Sequence, residues 1–235
     1  LCRTATALDD GIKSKIALFC NVDKNMVITA KDVDCIYEVP LGFHDEGLDD
    51  RIMETLRIWT RAPRLEAWEE FVRRYKSPAH EVTIAIVGKY VDLTESYKSL
   101  NEALYHGGVP NSARVRLAFV DSETITPENC ARKLAGADGI LVPGGFGPRG
   151  IEGKILAAHH ARTQKVPYFG ICLGMQIAVI EFARNVAGMT GAHSSEFDKE
   201  TPDPVIYLMR EWYDEKTGTV QTRDVDSDKG GTMRL

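Results

Sequence analysis

Apolar positions recur along this chain with two different periods, and the change falls near residue 80. Before it, Leu48, Ile52, Leu56 and Trp59 return at helical spacing, as do Leu65, Trp68, Phe71, Val72 and Tyr75. These spacings predict two amphipathic helices separated by Ala62-Pro63. Two short apolar runs, Lys15–Val22 and Met26–Thr29, read as strands ending in loops, the tail of a sheet, so that Lys15 would be a strand-edge charge. The stretch Lys76-Ser77-Pro78-Ala79-His80-Glu81 is polar, holds a proline and precedes a new apolar run. It divides the chain into residues 1–76, a linker at 77–81, and residues 82–235.

Beyond the linker, apolar runs of strand length alternate with helical patterns. Strands are predicted at 82–87, 115–120, 139–142 and 167–171, and helices at 94–106 (closed by Gly107-Gly108), 127–134, 151–164 and 174–184. Right-handed crossovers lay such helices across both faces of a parallel sheet, which implies a doubly wound α/β domain. Ligands of these sheets gather at the carboxyl ends of strands, so the loops after Val87, Val142 and Ile171 are where function is expected.

Composition narrows the class of partner. The chain has 235 residues, 43% hydrophobic and 27% charged, with a formal net charge of -5. It offers no broad basic surface for nucleic acid or an anionic membrane, and small molecules are expected instead. No apolar run approaches the roughly 20 residues of a membrane span, and a cytoplasmic setting is expected. Five cysteines, widely spaced and without a CxxC pair, imply thiols rather than disulfides or a metal site. Cys2, Cys20, Cys35 and Cys130 are expected to pack as small buried hydrophobes.

Cys172 stands apart. Gly170-Ile171-Cys172-Leu173-Gly174 places it at a strand-to-helix turn, the cysteine form of a nucleophile elbow. Glycines two before and two after would let backbone pass without a Cβ clash, and the helix N-terminus would favour thiolate. One strand earlier, Val142-Pro143-Gly144-Gly145-Phe146-Gly147 supplies a glycine-rich loop. Its N–H groups, with that of Leu173, could hold the oxyanion formed when a thiolate attacks a carboxamide. A base is harder to find. Of the six histidines, His159 and His160 read as solvent-facing or packing, and only His193, in a polar loop, is worth weighing.

With these motifs the chain resembles the class I glutamine amidotransferases and, within them, the CTP synthase family. Further segments carry the closer likeness: Ile84-Ala85-Ile86-Val87-Gly88-Lys89-Tyr90, Tyr97-Lys98-Ser99, His106-Gly107-Gly108, Ser195-Glu196-Phe197, Gly230-Gly231-Thr232-Met233-Arg234-Leu235 and, upstream, Leu1-Cys2-Arg3 and Lys31-Asp32-Val33. The resemblance implies that residues 1–76 are the C-terminal part of a P-loop-type α/β ligase domain, and 82–235 the first part of the glutamine-hydrolysing domain. It implies Cys172 as nucleophile, with Gly145, Leu173, Gly174, Met175, Gln176 and Glu196 around glutamine. Arg3, Lys31, Asp32 and Val33 would surround ATP, Lys15 would contact UTP or CTP, and Arg149 would belong to a loop through which GTP activates hydrolysis. It further implies Mg2+ with ATP, a homotetramer, a His-x-Glu pair beyond Leu235, and the phosphate loop and magnesium carboxylates before Leu1. On that reading residues 1–235 alone lack both complete active sites. A free-standing amidase or peptidase with a cysteine elbow, and a non-catalytic regulatory or assembly module that binds glutamine or a partner without turnover, are the alternatives; the first leaves residues 1–75 unexplained.

Overall fold

In the computed structural model, residues 1–89, 97–207, 211–214 and 217–222 are described. Tyr90, the start of the helix predicted at 94, and Gly230–Leu235 lie outside them. The chain divides into two compact units, one of residues 1–81 with 105–114, the other of 82–104 with 115–235.

In the first unit, β1 (Cys2–Thr4) and β2 (Thr29–Lys31) pair in parallel, Arg3 opposite Ala30. Between them the chain departs from the sequence expectation: Lys15 and its neighbours belong to a helix, α1 (Asp10–Cys20), and not to a strand. Local chemistry at the ends explains it. Asp9 accepts a hydrogen bond from the Ile12 N–H at 2.8 Å, and Asn21 turns left-handed (φ 52°) to donate to the Ala17 and Leu18 carbonyls. Lys15 is therefore an exposed helix charge. The second predicted strand is displaced as well, with Lys24–Met26 forming a 3-10 turn before β2.

Helices α2 (Val39–Asp45), α3 (Leu48–Leu56) and α4 (Glu66–Lys76) follow. α3 stops short of Trp59 because Arg57 takes φ 54° and closes the helix onto Met53 and Glu54; Trp59 is 97% exposed. The apolar stripe of α4 packs around Tyr37, whose ring meets Trp68, Phe71 and Tyr75 edge-on at 5.1–6.3 Å. The Trp68 indole N–H donates to the Tyr37 carbonyl at 2.7 Å, so the buried polar atom is satisfied.

The second unit carries most of the alternating pattern: β3 (His80–Gly88), α5 (Lys98–Gly108), β4 (Ala113–Asp121), α6 (Cys130–Lys133), β5 (Gly139–Val142), α7 (Ile151–Gln164), β6 (Tyr168–Gly170) and α8 (Leu173–Asn185), with the starts of β3 and β4 and the end of α5 assigned to the first unit. Its sheet has the order β4-β3-β5-β6, with β3–β5 and β5–β6 parallel, Ile86 opposite Leu141 and Leu141 opposite Phe169. Alternate residues face opposite sides of a strand, and both sets are buried: Ala85, Val87, Ile140 and Val142 on one side, Ile86 and Leu141 on the other, none more than 2% exposed. α6 is a single turn, shorter than predicted. The Asn129 side chain accepts from the Thr126 N–H and donates to the Thr124 carbonyl, holding the preceding residues in a turn. α5 takes in Gly107 and ends on Gly108, so the glycine pair closes it from within its last turn.

Past α8 lie elements with no sequence forecast: β7 (Ala192–Ser194), paired in parallel with β8 (Asp203–Ile206), and a hairpin of β9 (Glu211–Asp214) and β10 (Thr219–Thr222).

Candidate active site

Cys172 is the N-cap of α8, with φ 53° and ψ -105°, outside even the left-handed well open to L residues, and its side chain is exposed. The surroundings force this geometry. The Ile171 N–H donates to the Val142 carbonyl at 3.0 Å, fixing β6 beside β5; the Gly174 N–H donates back to Ile171 at 2.9 Å, and the Met175 and Gln176 N–H groups donate to the Cys172 carbonyl at 3.1 and 3.2 Å. Both flanking glycines are compulsory. A Cβ on Gly170 would run into the Gly174 carbonyl group, and one on Gly174 into the Val142 carbonyl. The strand-to-helix turn can be this sharp only without those two side chains.

The glycine-rich loop lies against the elbow. A Cβ on Gly144 would sit 3.5 Å from the Cys172 Cβ, and one on Gly145 would sit 3.6 Å from Leu173 Cδ2. Leu173 begins α8, so its N–H has no intrahelical acceptor. Glu196 joins the same group, its carboxylate accepting from the Gly147 N–H at 3.3 Å. Thus Cys172, Leu173, Gly145 and the Glu196-bound loop converge, while Gln176 is half-buried and Met175 is 55% exposed. Lys89, the residue after β3, has a part that the sequence gives no sign of beyond its place in a family-like segment: its ammonium donates to the Phe146 carbonyl and anchors the loop.

No histidine among the described residues hydrogen-bonds Cys172. His193 lies in β7 with its Nδ1 accepting from the Ser194 N–H at 2.9 Å and its Nε2 3.8 Å from Glu152. Burial and nearby Arg184 hold its pKa below the ordinary value. His159, expected to face solvent or pack, is half-exposed and lies 2.9 Å from buried Glu181, which also takes a forked ion pair from Arg162. Burial alone would raise the Glu181 pKa, but the Arg162 and His159 hydrogen bonds outweigh it and leave the carboxyl below its usual value. Arg149 is largely exposed, yet it is paired with Glu123 at 2.5 Å and lines a cavity of about 370 Å³ with Ser122, Glu152 and His193. Of the remaining thiols, Cys35 and Cys130 are buried as expected, whereas Cys20 is exposed and Cys2 half-exposed.

In the first unit, Arg3, Lys31, Asp32 and Val33 all line one cavity of about 680 Å³. Strand pairing brings them together: β1 carries Arg3, β2 ends in Lys31, and the Arg3 Nε bonds Asp32 Oδ1 at 2.8 Å. Glu46, on the cavity wall, takes the Lys13 ammonium at 2.6 Å and the Thr29 N–H at 3.0 Å, which lower its pKa. Lys15 is not among the residues lining this cavity.

Residues 92–228 match the model of the class I glutamine amidotransferases, and residues 1–58 match that of the CTP synthase N-terminus. Over all 235 residues the chain is 60% identical to the CTP synthase of Oleidesulfovibrio alaskensis and 55% identical to that of Desulfotalea psychrophila, spanning 43% of the length of each. A glutaminase domain of Trypanosoma brucei CTPS, solved with bound acivicin, superposes with a TM-score of 0.51 at 45% identity, covering 55% of this chain and 50% of that one. The chain belongs to the class I glutamine amidotransferase family, and its likeness to the CTP synthases within that family runs from its first residue to its last.

Proposed function

We propose that this chain forms part of an enzyme that aminates UTP to CTP with ATP, using ammonia released from glutamine at Cys172. The observation that carries the reading is the elbow: an exposed thiol held in a backbone conformation L residues avoid, between two glycines that admit no side chain and against a second glycine loop. Strain of this kind persists where the surroundings over-determine it, and it clusters at reacting centres.

In the proposed sequence the Cys172 sulfur attacks the glutamine carboxamide carbon, and the Leu173 N–H with backbone of the Gly145 loop receives the developing oxyanion. Ammonia leaves, and water hydrolyses the thioester to glutamate. Glu196 pairs with the substrate ammonium, and Met175 and Gln176 border it. The histidine that would take and return the proton is assigned to the part of the relatives' length this chain does not span. Residues 1–235 by themselves are therefore expected to be inactive. In the first unit, ATP occupies the cavity of Arg3, Lys31, Asp32 and Val33, whose volume suits a nucleoside. ATP phosphorylates the uracil O4 and ammonia displaces the phosphate. Mg2+ would offset phosphate charge when bound; its ligands, like the phosphate loop, are assigned outside these residues. Lys15 contacts the pyrimidine nucleotide and Arg149 transmits GTP activation, in a cytoplasmic homotetramer.

The test is Cys172→Ala in the intact enzyme. Glutamine-dependent CTP formation should vanish while formation from added ammonia persists; loss of both, or retention of both, contradicts the division of labour. Retained glutamine binding without turnover in the unaltered enzyme would favour a binding module.

A further inference from the structure

Tyr168 lies four residues before Cys172, on β6, and its hydroxyl donates to the Gly174 carbonyl at 2.8 Å. Residues two apart share a strand face, so Tyr168 and Gly170 both point to the first turn of α8. Their effects converge on one residue. Gly170 lets the Gly174 backbone approach to a distance no Cβ would tolerate, the Val142 carbonyl blocks the far side of Gly174, and the Tyr168 hydroxyl holds its carbonyl. The ring is wedged between two buried clusters, one of Ala85, Val87, Ile140 and Val142, the other of Ile155, Leu173 and Ile177, which leaves the hydroxyl little freedom to point elsewhere. Burial raises its pKa, so it remains a donor across the working pH range.

Between Cys172 and Gly174 lies only Leu173. Its N–H is fixed in direction by the peptide plane leaving Cys172 and by the position of Gly174. We propose that Tyr168 is a positioning residue: its hydroxyl, by holding Gly174, aims the Leu173 N–H and the strained Cys172 at the substrate carbonyl. The inference rests on Cys172 being the nucleophile.

Steady-state glutamine hydrolysis by the intact protein, compared across wild type, Tyr168→Phe and Cys172→Ala, tests it. Tyr168→Phe keeps the ring that fills the core, so folding, checked by circular dichroism and thermal melting, should be preserved. The expected result is a kcat lowered about three- to tenfold, the worth of one positioned hydrogen bond, with KM for glutamine within about twofold. Trapping of the glutamyl thioester on Cys172 should slow in parallel. A merely structural hydroxyl would lower the melting temperature and leave kcat per folded molecule unchanged, and that outcome, or a loss confined to KM, overturns the proposal. If Cys172→Ala still hydrolyses glutamine, the nucleophile assignment itself is wrong. If Cys172→Ala is inert and Tyr168→Phe is fully active, only the positioning role fails.

Discussion

Replacing Cys172 with glycine should leave a more stable protein than replacing it with alanine, the reverse of the usual ranking. Both substitutions remove the exposed sulfur, so lost burial is small for either. They differ in the Cβ. Alanine keeps it and must still adopt φ 53° and ψ -105°, a conformation costing an L residue roughly 1–3 kcal/mol. Glycine enters that region freely but carries a more flexible unfolded state, worth about 0.4–1 kcal/mol. The difference favours glycine by roughly 0.5–2 kcal/mol. Urea unfolding of both variants under one condition, followed by circular dichroism, reads it directly; the intact protein needs a resolved transition for the glutaminase unit. If the glycine variant is the less stable, Cys172 is not strained, and the argument from strain to function loses its footing.

Other consequences follow from the same geometry. Gly174→Ala drives a methyl into the Val142 carbonyl and should cost about 1–3 kcal/mol while abolishing glutaminase activity, as thermal melting and ammonia release will show. Lys154, 2% exposed on α7, has its pKa lowered to about 8 by burial and by Lys89. Because the folded pKa lies below the unfolded one, the buried ammonium costs stability in full below pH 8, and the cost fades as pH rises from about 8 to 10.5. Lys154→Met should therefore stabilise the protein at pH 7 by about 2 kcal/mol after allowance for screening, with the gain shrinking by pH 10; a pH-independent gain in denaturant titrations would refute the charge argument. Lys31→Ala should weaken ATP binding about tenfold or more in calorimetric titration and leave glutaminase kcat alone; unchanged ATP affinity would remove Lys31 from the site.

The α/β unit was legible because buried parallel strands and their crossover helices announce themselves by period, and 139–142 and 151–164 have the predicted bounds. The elbow was legible for a different reason: the two glycines around Cys172 are a steric requirement, and steric requirements leave residue types behind. Local hydrogen bonding hid the rest. Lys15–Val22 looks like a strand in composition, but Asp9 and Asn21 cap it as a helix, and caps separated by a dozen residues are easily overlooked beside an apolar run. The Glu196–Gly147 contact joins residues 49 apart, and no spacing rule reveals a pairing made by tertiary approach. The Tyr168 hydroxyl gave no signal either, since a tyrosine in a strand is ordinary β propensity until its partner is known. Glu181 would read as a helix surface charge, and only the packing of α7 on α8 brings Arg162 and His159 to it.

The central claim is that the Cys172 sulfur forms a covalent bond to glutamine. The intact protein mixed with glutamine, quenched in acid within the first turnover and digested for peptide mass spectrometry tests it most directly. The account predicts a γ-glutamyl thioester on the peptide containing Cys172 and on no other cysteine peptide, absent from Cys172→Ala. Ammonia release with no adduct on Cys172, or an adduct on exposed Cys20 instead, would contradict it.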